Sequence, residues 1–322
     1  MRAVQISKLE GPEAVELVEI AEPEPTADEL LVDVHAAGLA FPDVLQTRGL
    51  YQYKPELPFT LGTEVAGTVR SAPADSGFAV GDRVAGLCLN RGLAEQACVP
   101  VTQAFRLPDA VAMEQGAGLL FNDLTVHFVL RTRARMAPGE TVLVHGAAGG
   151  IGVSVLRLAP ALGAARTIAV VSDEAKAAVA REAGASEVVL VDGWAKQVAA
   201  LTGGGVDVIV DPVGGDRFTD SLRSLRPGGR VMVVGFTGGE IPTVKVNRLL
   251  LGNIDVMGAG WGPWWMVRPG YLQEQWAELE PLYAAGTIRP LPLTLLPLER
   301  AMDGLLAIDR REAAGKVVIT LR

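Results

Sequence analysis

The sequence predicts an α/β protein of two domains, with β-rich segments near both ends of the chain framing a central parallel sheet. Three observations carry this expectation. The first third alternates strand-like runs with Gly and Pro. From Leu119 onward, short and nearly all-apolar strands alternate with helical segments. The tail then reads as strand again, and a length of 322 residues suits two domains better than one.

In chain order, "ELLVDVHAAGL" and "EVAGTVRSA" have strand composition, and "PELPFTLGTE" and "AVGDRVAG" punctuate them. "DLTVHFVLRTRARM" has helical spacing. "TVLVHG" is a β-branched strand running into glycines, and "GIGVSVLRLAPALGA" is a helix ending at Gly163. Pro160 lies inside that helix, lacks an N–H and opposes the Leu156 carbonyl, which predicts a kink. "RTIAVVS" is the next strand and "DEAKAAVAREAGA" a helix stopping at Gly184. "SEVVLVD", "VDVIVDPVGG", "RVMVVGF" and "IDVMGAG" continue as strands. Strands apolar on both faces require cover on both sides, hence a doubly wound parallel sheet. "GTIRPLPLTLLPL", a helix in "ERAMDGLLAIDRR" and the strand "KVVITL" are expected to return to the first domain.

Composition excludes several classes. Apolar residues make up 49% of the chain, enough for a buried core. No apolar run of ~18 residues predicts a membrane span, and the N-terminus lacks the apolar region of a signal peptide. A net charge of −8 with no basic face argues against nucleic acid as a partner. Cys88 and Cys98 form no disulfide framework and fit no four-ligand zinc spacing, so a reduced, cytoplasmic setting is expected. With only His35, His127 and His145, no ligand cluster for a catalytic zinc is visible, and no metal is expected.

The chemistry-bearing stretch is "HGAAGGIGVS", after the strand "ETVLV". A strand, a tight glycine turn and a helix make the dinucleotide-binding βαβ unit. Small residues admit a diphosphate close to the backbone, and the helix N-terminus offers free N–H groups to it. The pattern here is Ala147 to Gly152, with alanine at the first expected glycine. At the end of the second strand, where an NAD enzyme would hold an acidic residue, stands Val171. Ser172 and Lys176 suit a 2′-phosphate and favour NADPH over NADH. Two other readings stay open: Ser172 capping the next helix, and Asp173 accepting ribose hydroxyls.

"VLVHGAAGGIG", "DPVGGDRF", "LRPGGRVMVVGF", "GLYQYKPELPFTLGTEVAG" and "AAGKVVI" together resemble the zinc-independent NADPH:quinone oxidoreductases, zeta-crystallin-like members of the medium-chain dehydrogenase/reductase superfamily. The resemblance runs end to end. It implies a GroES-like β-rich catalytic domain (1–123 and 261–322) with an inserted Rossmann domain (124–260), a cleft between them and a homodimer. It implies cofactor contacts from Ala147, Ala148, Gly149, Gly150, Ile151, Gly152, Ser172 and Lys176, from Thr125, from Val213, Gly235, Phe236 and Thr237 on the nicotinamide side, and from Arg311. Bland alternatives are a self-bonded helix residue for Thr125, core packing for Phe236 and a solvated helix end for Arg311. Where zinc relatives carry cysteine and histidine, this chain has Ala40 to Asp43 without cysteine, and Thr63.

Many relatives also have asparagine and tyrosine where this chain has Ala40 and Leu45, so the substrate pocket is more apolar. The expected reaction is metal-free hydride transfer to a quinone or similar conjugated carbonyl, with Tyr51 as the first candidate proton donor and Asp43 and Thr63 as further ones. Trp261 is placed beside the substrate, and Trp264 and Trp265 in a core or interface cluster. The alternatives are an enoyl or 2-alkenal reductase, and an NADPH-binding relative without turnover.

Overall fold

The computed structural model describes residues 1–322. The chain begins with β1 (Arg2–Ile6) and β2 (Val15–Glu19), an antiparallel pair that β4 (Phe59–Thr60) completes on the other side of β1. β3 (Glu29–Gly38) is ten residues long and shared: its first half pairs with β7 (Gln96–Pro100) and its second half with the last strand of the chain. α1 (Phe41–Thr47) follows directly. β5 (Glu64–Ser71), β6 (Arg83–Leu87) and β8 (Ala104–Arg106) extend the sheet, and α2 (Met113–Gly116) leads into α3 (Leu120–His127).

The rhythm then changes as the sequence predicts. β9 (Thr141–His145), α4 (Gly150–Ala161), β10 (Arg166–Val171), α5 (Glu174–Glu182), β11 (Glu187–Leu190), α6 (Trp194–Thr202), β12 (Val206–Asp211), α7 (Phe218–Arg223), β13 (Leu225–Val233), α8 (Asn247–Gly252) and β14 (Asp255–Gly258) build a six-stranded, all-parallel sheet ordered β11-β10-β9-β12-β13-β14. α9 (Trp261–Trp265) and α10 (Tyr271–Ala284) precede β15 (Leu293–Pro297), α11 (Ala301–Asp309) and β16 (Lys316–Thr320). The last of these pairs with β3.

The chain divides into two units. The first comprises Met1–Phe121, Leu272–Gly286 and Leu293–Arg322, and the second Asn122–Tyr271 and Thr287–Pro292. The return to the first unit thus falls at Leu272, later than the 260/261 boundary read from sequence. β14 runs straight into α9, which stays with the parallel sheet. Pro160 sits in the last turn of α4. That helix ends one residue later, so the missing donor falls where a helix is closing anyway.

Each unit has its own core. Val32, Val34, Leu61, Val65, Leu305 and Ile319 represent the first, and Leu143, Ile168, Val170, Ile209, Phe218 and Val231 the second. The first unit also buries an ion pair. Lys316 Nζ lies 2.6 Å from Glu64 Oε1 with both side chains almost fully enclosed, and Glu64 Oε2 accepts the Phe121 N–H at 2.9 Å. Such a pair is costly to break, because the partner left behind is a buried bare charge. In the second unit, Arg157 of α4 is held equally deep by Asp123 of α3 at 2.8 Å, and its Nε donates to the Arg289 carbonyl at 2.7 Å.

His145, the last residue of β9, is fully buried. Its Nε2 lies 2.9 Å from Ser221 Oγ and its ring stands edge-on to Trp194 at 4.7 Å. Burial, reinforced by the Arg217 charge, pushes its pKa down to about 3. The unfolded chain then binds more protons than the native one below the ordinary histidine value, so this group withdraws stability as pH falls from 6.5 toward about 3. His145→Gln is expected to remove that slope, which is at most about 1.4 kcal/mol per pH unit. Denaturant unfolding should show the stability gap between wild type and variant closing from pH 7 to pH 4.5; a constant gap contradicts the assignment.

Candidate active site

The corner after β9 is built from backbone. Gly146 takes φ +59°, so the sharp turn falls one residue before the Ala147 that occupies the first motif position. Ala147 and Ala148 are buried, and the Ala147 N–H donates to the Val170 carbonyl of β10 at 3.2 Å. Gly149 is the N-cap of α4, and a Cβ there would meet only the Gly146 carbonyl oxygen, at 3.4 Å. A Cβ on Gly152 would collide with the Gly146 carbonyl oxygen and lie 2.5 Å from Ala147 Cα, so helix and strand touch there through backbone. A Cβ on Gly150 would stand 2.5 Å from Asn122 Nδ2, which brings α3, and with it Thr125, against the start of α4. The amides of Gly150, Ile151 and Gly152 have no intrahelical acceptor, and the helix dipole adds positive potential around them. Bare amides at an open N-cap fit the diphosphate of a dinucleotide.

Further predicted residues gather at the same ends of the strands. Strand order reverses between β9 and β12, the switch point where doubly wound sheets bind ligands. Asp211 Oδ1, at the end of β12, accepts the N–H groups of Val213 at 2.8 Å and Gly214 at 2.9 Å. Thr237 donates its N–H and its hydroxyl to the Pro212 carbonyl, each at 3.0 Å, locking the loop after β13 onto the loop after β12. Gly235, Phe236 and Thr237 thereby sit beside Val213, whose Cγ2 is 3.1 Å from where a Cβ on Gly146 would be. Phe236 is 40% exposed and is not a core residue.

At the end of β10, Val171 is buried and the polar residues follow it. Asp173, not Ser172, caps α5: its Oδ1 accepts the Lys176 N–H at 2.9 Å. Its Oδ2 accepts the Ser172 hydroxyl at 2.7 Å and lies 3.9 Å from Lys176 Nζ. Those hydrogen bonds hold the Asp173 carboxyl below the usual carboxylate range. One carboxylate therefore gathers the hydroxyl and the ammonium that sequence assigned to a 2′-phosphate.

The first unit carries the other predicted positions. Ala40, Asp43 and Leu45 lie at or in α1, and Thr63 just before β5. Asp43 anchors α1. It is wholly buried, and its carboxylate accepts the Ala40 N–H at 2.7 Å and the Gly62 N–H at 3.3 Å. Burial outweighs those bonds and the nearby Lys316 charge, and pushes its pKa up to about 7. Thr63 Oγ1 is buried and makes no hydrogen bond. Tyr51 is half-buried, and burial, with the Asp43 charge, raises its phenol further, so it stays protonated. Arg311 follows α11 at φ +60°. In the second unit, Trp261 is buried and packs on Trp265 at 5.8 Å, while Trp264 lies between Phe128 at 5.4 Å and the Arg268 guanidinium at 3.7 Å. Burial raises both cysteine thiols. No group of three or more His, Cys, Asp and Glu side chains is arranged to hold a metal. Sequence reasoning missed Asn122, Asp123 and Arg157, which fix α3 and α4, because only the close approach at Gly150 and the buried pair reveal them.

These two folds on one chain define the medium-chain dehydrogenase/reductase class. Comparison with known proteins agrees. The alcohol dehydrogenase GroES-like domain family matches residues 26–109, and the zinc-binding dehydrogenase family matches residues 150–284. Rat quinone oxidoreductase-like protein 2 is 38% identical over 326 residues, covering all of this chain and 92% of that one. The Escherichia coli quinone oxidoreductase, solved in complex with NADPH, superposes with a TM-score of 0.89 at 29% identity, with full coverage of both chains. The CurK enoyl reductase gives 0.88 at 25% identity, over 100% of this chain and 99% of that one. The chain belongs to the zinc-independent quinone oxidoreductase family of the medium-chain dehydrogenases/reductases, and is an oxidoreductase.

The corner makes a discriminating prediction. Gly152→Ala is expected to cost about 3 kcal/mol or more, since the collision is with backbone, whereas Gly150→Ala meets a side chain able to turn and should cost about 1 kcal/mol. Thermal or denaturant unfolding of the two variants checks this; equal losses contradict it.

Proposed function

We propose that the protein is an NADPH-dependent reductase of quinones or similar conjugated carbonyls, working without a metal. The observation that carries this is the open N-cap of α4, where three unbonded amides face the switch point of the sheet. Bound NADPH supplies the hydride. The amides of Gly150, Ile151 and Gly152 hold the diphosphate, and Ala147, Ala148 and Gly149 keep that corner free of bulk. Val213, Gly235, Phe236 and Thr237 form the wall on the nicotinamide side, with Thr125 and Arg311 as further contacts. Ser172 and Lys176 turn from Asp173 to the 2′-phosphate.

The acceptor needs a hydrogen-bond donor, and the Tyr51 phenol, kept protonated by burial, is one. A conjugated acceptor spreads the incoming charge over its own π system and asks little more of the site. On the first unit, Ala40 and Leu45 add apolar character to the acceptor side. A second reading, reduction of an enoyl or 2-alkenal double bond, draws on the likeness to the CurK enoyl reductase. We further read the protein as a cytoplasmic homodimer of small-molecule substrate type. The open edge of β14, together with Leu250 and Leu251 at 77% and 79% exposed, supports the dimer.

Two measurements test this reading. Lys176→Ala should weaken NADPH binding roughly tenfold and leave NADH binding nearly unchanged, as befits one charge-assisted contact; equal losses reject the phosphate assignment. Steady-state assays should show turnover with menadione-like quinones exceeding that with 2-alkenals, and Tyr51→Phe should lower kcat by about 10²-fold. Higher turnover with 2-alkenals favours the second reading, and unchanged kcat removes Tyr51 as donor.

A further inference from the structure

Asn122, the third residue of α3, stands between two anchored neighbours. The Phe121 N–H donates to Glu64 Oε2 at 2.9 Å, and the Asp123 carboxylate accepts from Arg157 Nη1 at 2.8 and 3.1 Å. The chain on either side of Asn122 is thereby fixed. Asn122 itself is 5% exposed, yet its carboxamide makes no hydrogen bond within the chain. Nor is that carboxamide sealed off, as Thr63 Oγ1 and Ser154 Oγ are. An amide so deep ordinarily finds partners, and one left open toward a site calls for a partner from outside.

Its direction names that partner. Nδ2 stands 2.5 Å from where a Cβ on Gly150 would be, and Oδ1 stands 3.3 Å from it. The amino end therefore leads toward the first residue of α4. A capping side chain does the reverse and offers oxygen to the helix amides, and no side chain caps α4. Donors from the backbone and from a side chain thus meet at the positive end of one helix, with no acceptor between them. An anion satisfies both sets at once. Glycine at 150 permits the approach, since a methyl there would push the carboxamide aside.

We propose that Asn122 is a dinucleotide-binding residue, its Nδ2 donating to a diphosphate oxygen held by the α4 amides. Resting on the NADPH reading above, this adds a contact from α3 to the diphosphate site. The diphosphate is common to NADPH and NADH, so Asn122 serves the affinity for both, whereas Lys176 distinguishes them. Asn122 and Thr125 lie three residues apart on one face of α3, so one helix addresses the diphosphate and the nicotinamide side together.

Calorimetric titration of the full chain with NADPH and with NADH, alongside melting of the ligand-free protein, tests the assignment. Asn122→Ala should weaken both cofactors alike, by roughly tenfold, the loss of one hydrogen bond to a charged group. Asn122→Asp replaces the donor with a negative charge and should weaken both by about a hundredfold or more. Its ligand-free form should melt no lower than wild type, because a carboxylate suits a helix N-terminus. Should the buried carboxylate prevent folding, Asn122→Ala decides alone. Wild-type affinity for both cofactors in Asn122→Ala overturns the proposal while leaving the NADPH reading intact. So does a loss confined to NADPH, which would place Asn122 at the 2′-phosphate. A wild-type protein that binds neither cofactor overturns the NADPH reading and this contact with it.

Discussion

Backbone meets backbone where β9 turns into α4, and the rest of the second unit follows from that contact. Because residue 152 has no side chain, the helix starts directly over the Gly146 carbonyl and Ala147 Cα. Its first amides then open at the carboxyl ends of the strands. Three neighbouring features hold the position. Asn122 fits against Gly150, Asp123 grips Arg157 about two turns further along α4, and the Ala147 N–H ties the turn to β10. A site that binds through amides needs such fixing, since an amide cannot reorient without moving the chain. The loops after β12 and β13 are fixed in the same way, through Asp211 and the Pro212 carbonyl.

Carboxylates in this protein organise more than they react. Asp43 joins the Ala40 amide to the Gly62 amide and so sets α1 against the turn that carries Thr63. Asp173 caps α5 and collects Ser172 and Lys176 in one place. Glu64 ties β16 to the start of α3. The last is buried and permanently paired, while Asp173 lies in solvent, where an incoming anion can compete for its partners.

The parallel sheet was legible in sequence because all-apolar strands bounded by glycine leave few alternatives; β9, β10, β12 and β14 stand where "TVLVHG", "RTIAVVS", "VDVIVDPVGG" and "IDVMGAG" put them. The glycine corner was legible too, although Gly146, not Ala147, makes the turn. α10, with fourteen residues the longest helix, was not read, although Leu272, Trp276, Leu279 and Tyr283 recur at helical spacing on its buried face; Pro281 lies inside it. Helical spacing in "DLTVHFVLRTRARM" was right, but the helix passes into a π-helical stretch over Phe128–Arg133, a change of hydrogen-bond register that side-chain pattern does not encode. The enclosure of Asp43 by two backbone amides was not legible, because the Gly62 amide comes from nineteen residues away. Asp173 took the capping role offered to Ser172 because it alone precedes α5 by one residue and can reach the third amide.

A crystal structure of the protein grown with NADPH addresses the central claim most directly. The account predicts diphosphate oxygens within hydrogen-bond distance of the Gly150, Ile151 and Gly152 amides, with the corner otherwise unmoved. A dinucleotide bound elsewhere, or a corner that must unfold to admit it, contradicts the account.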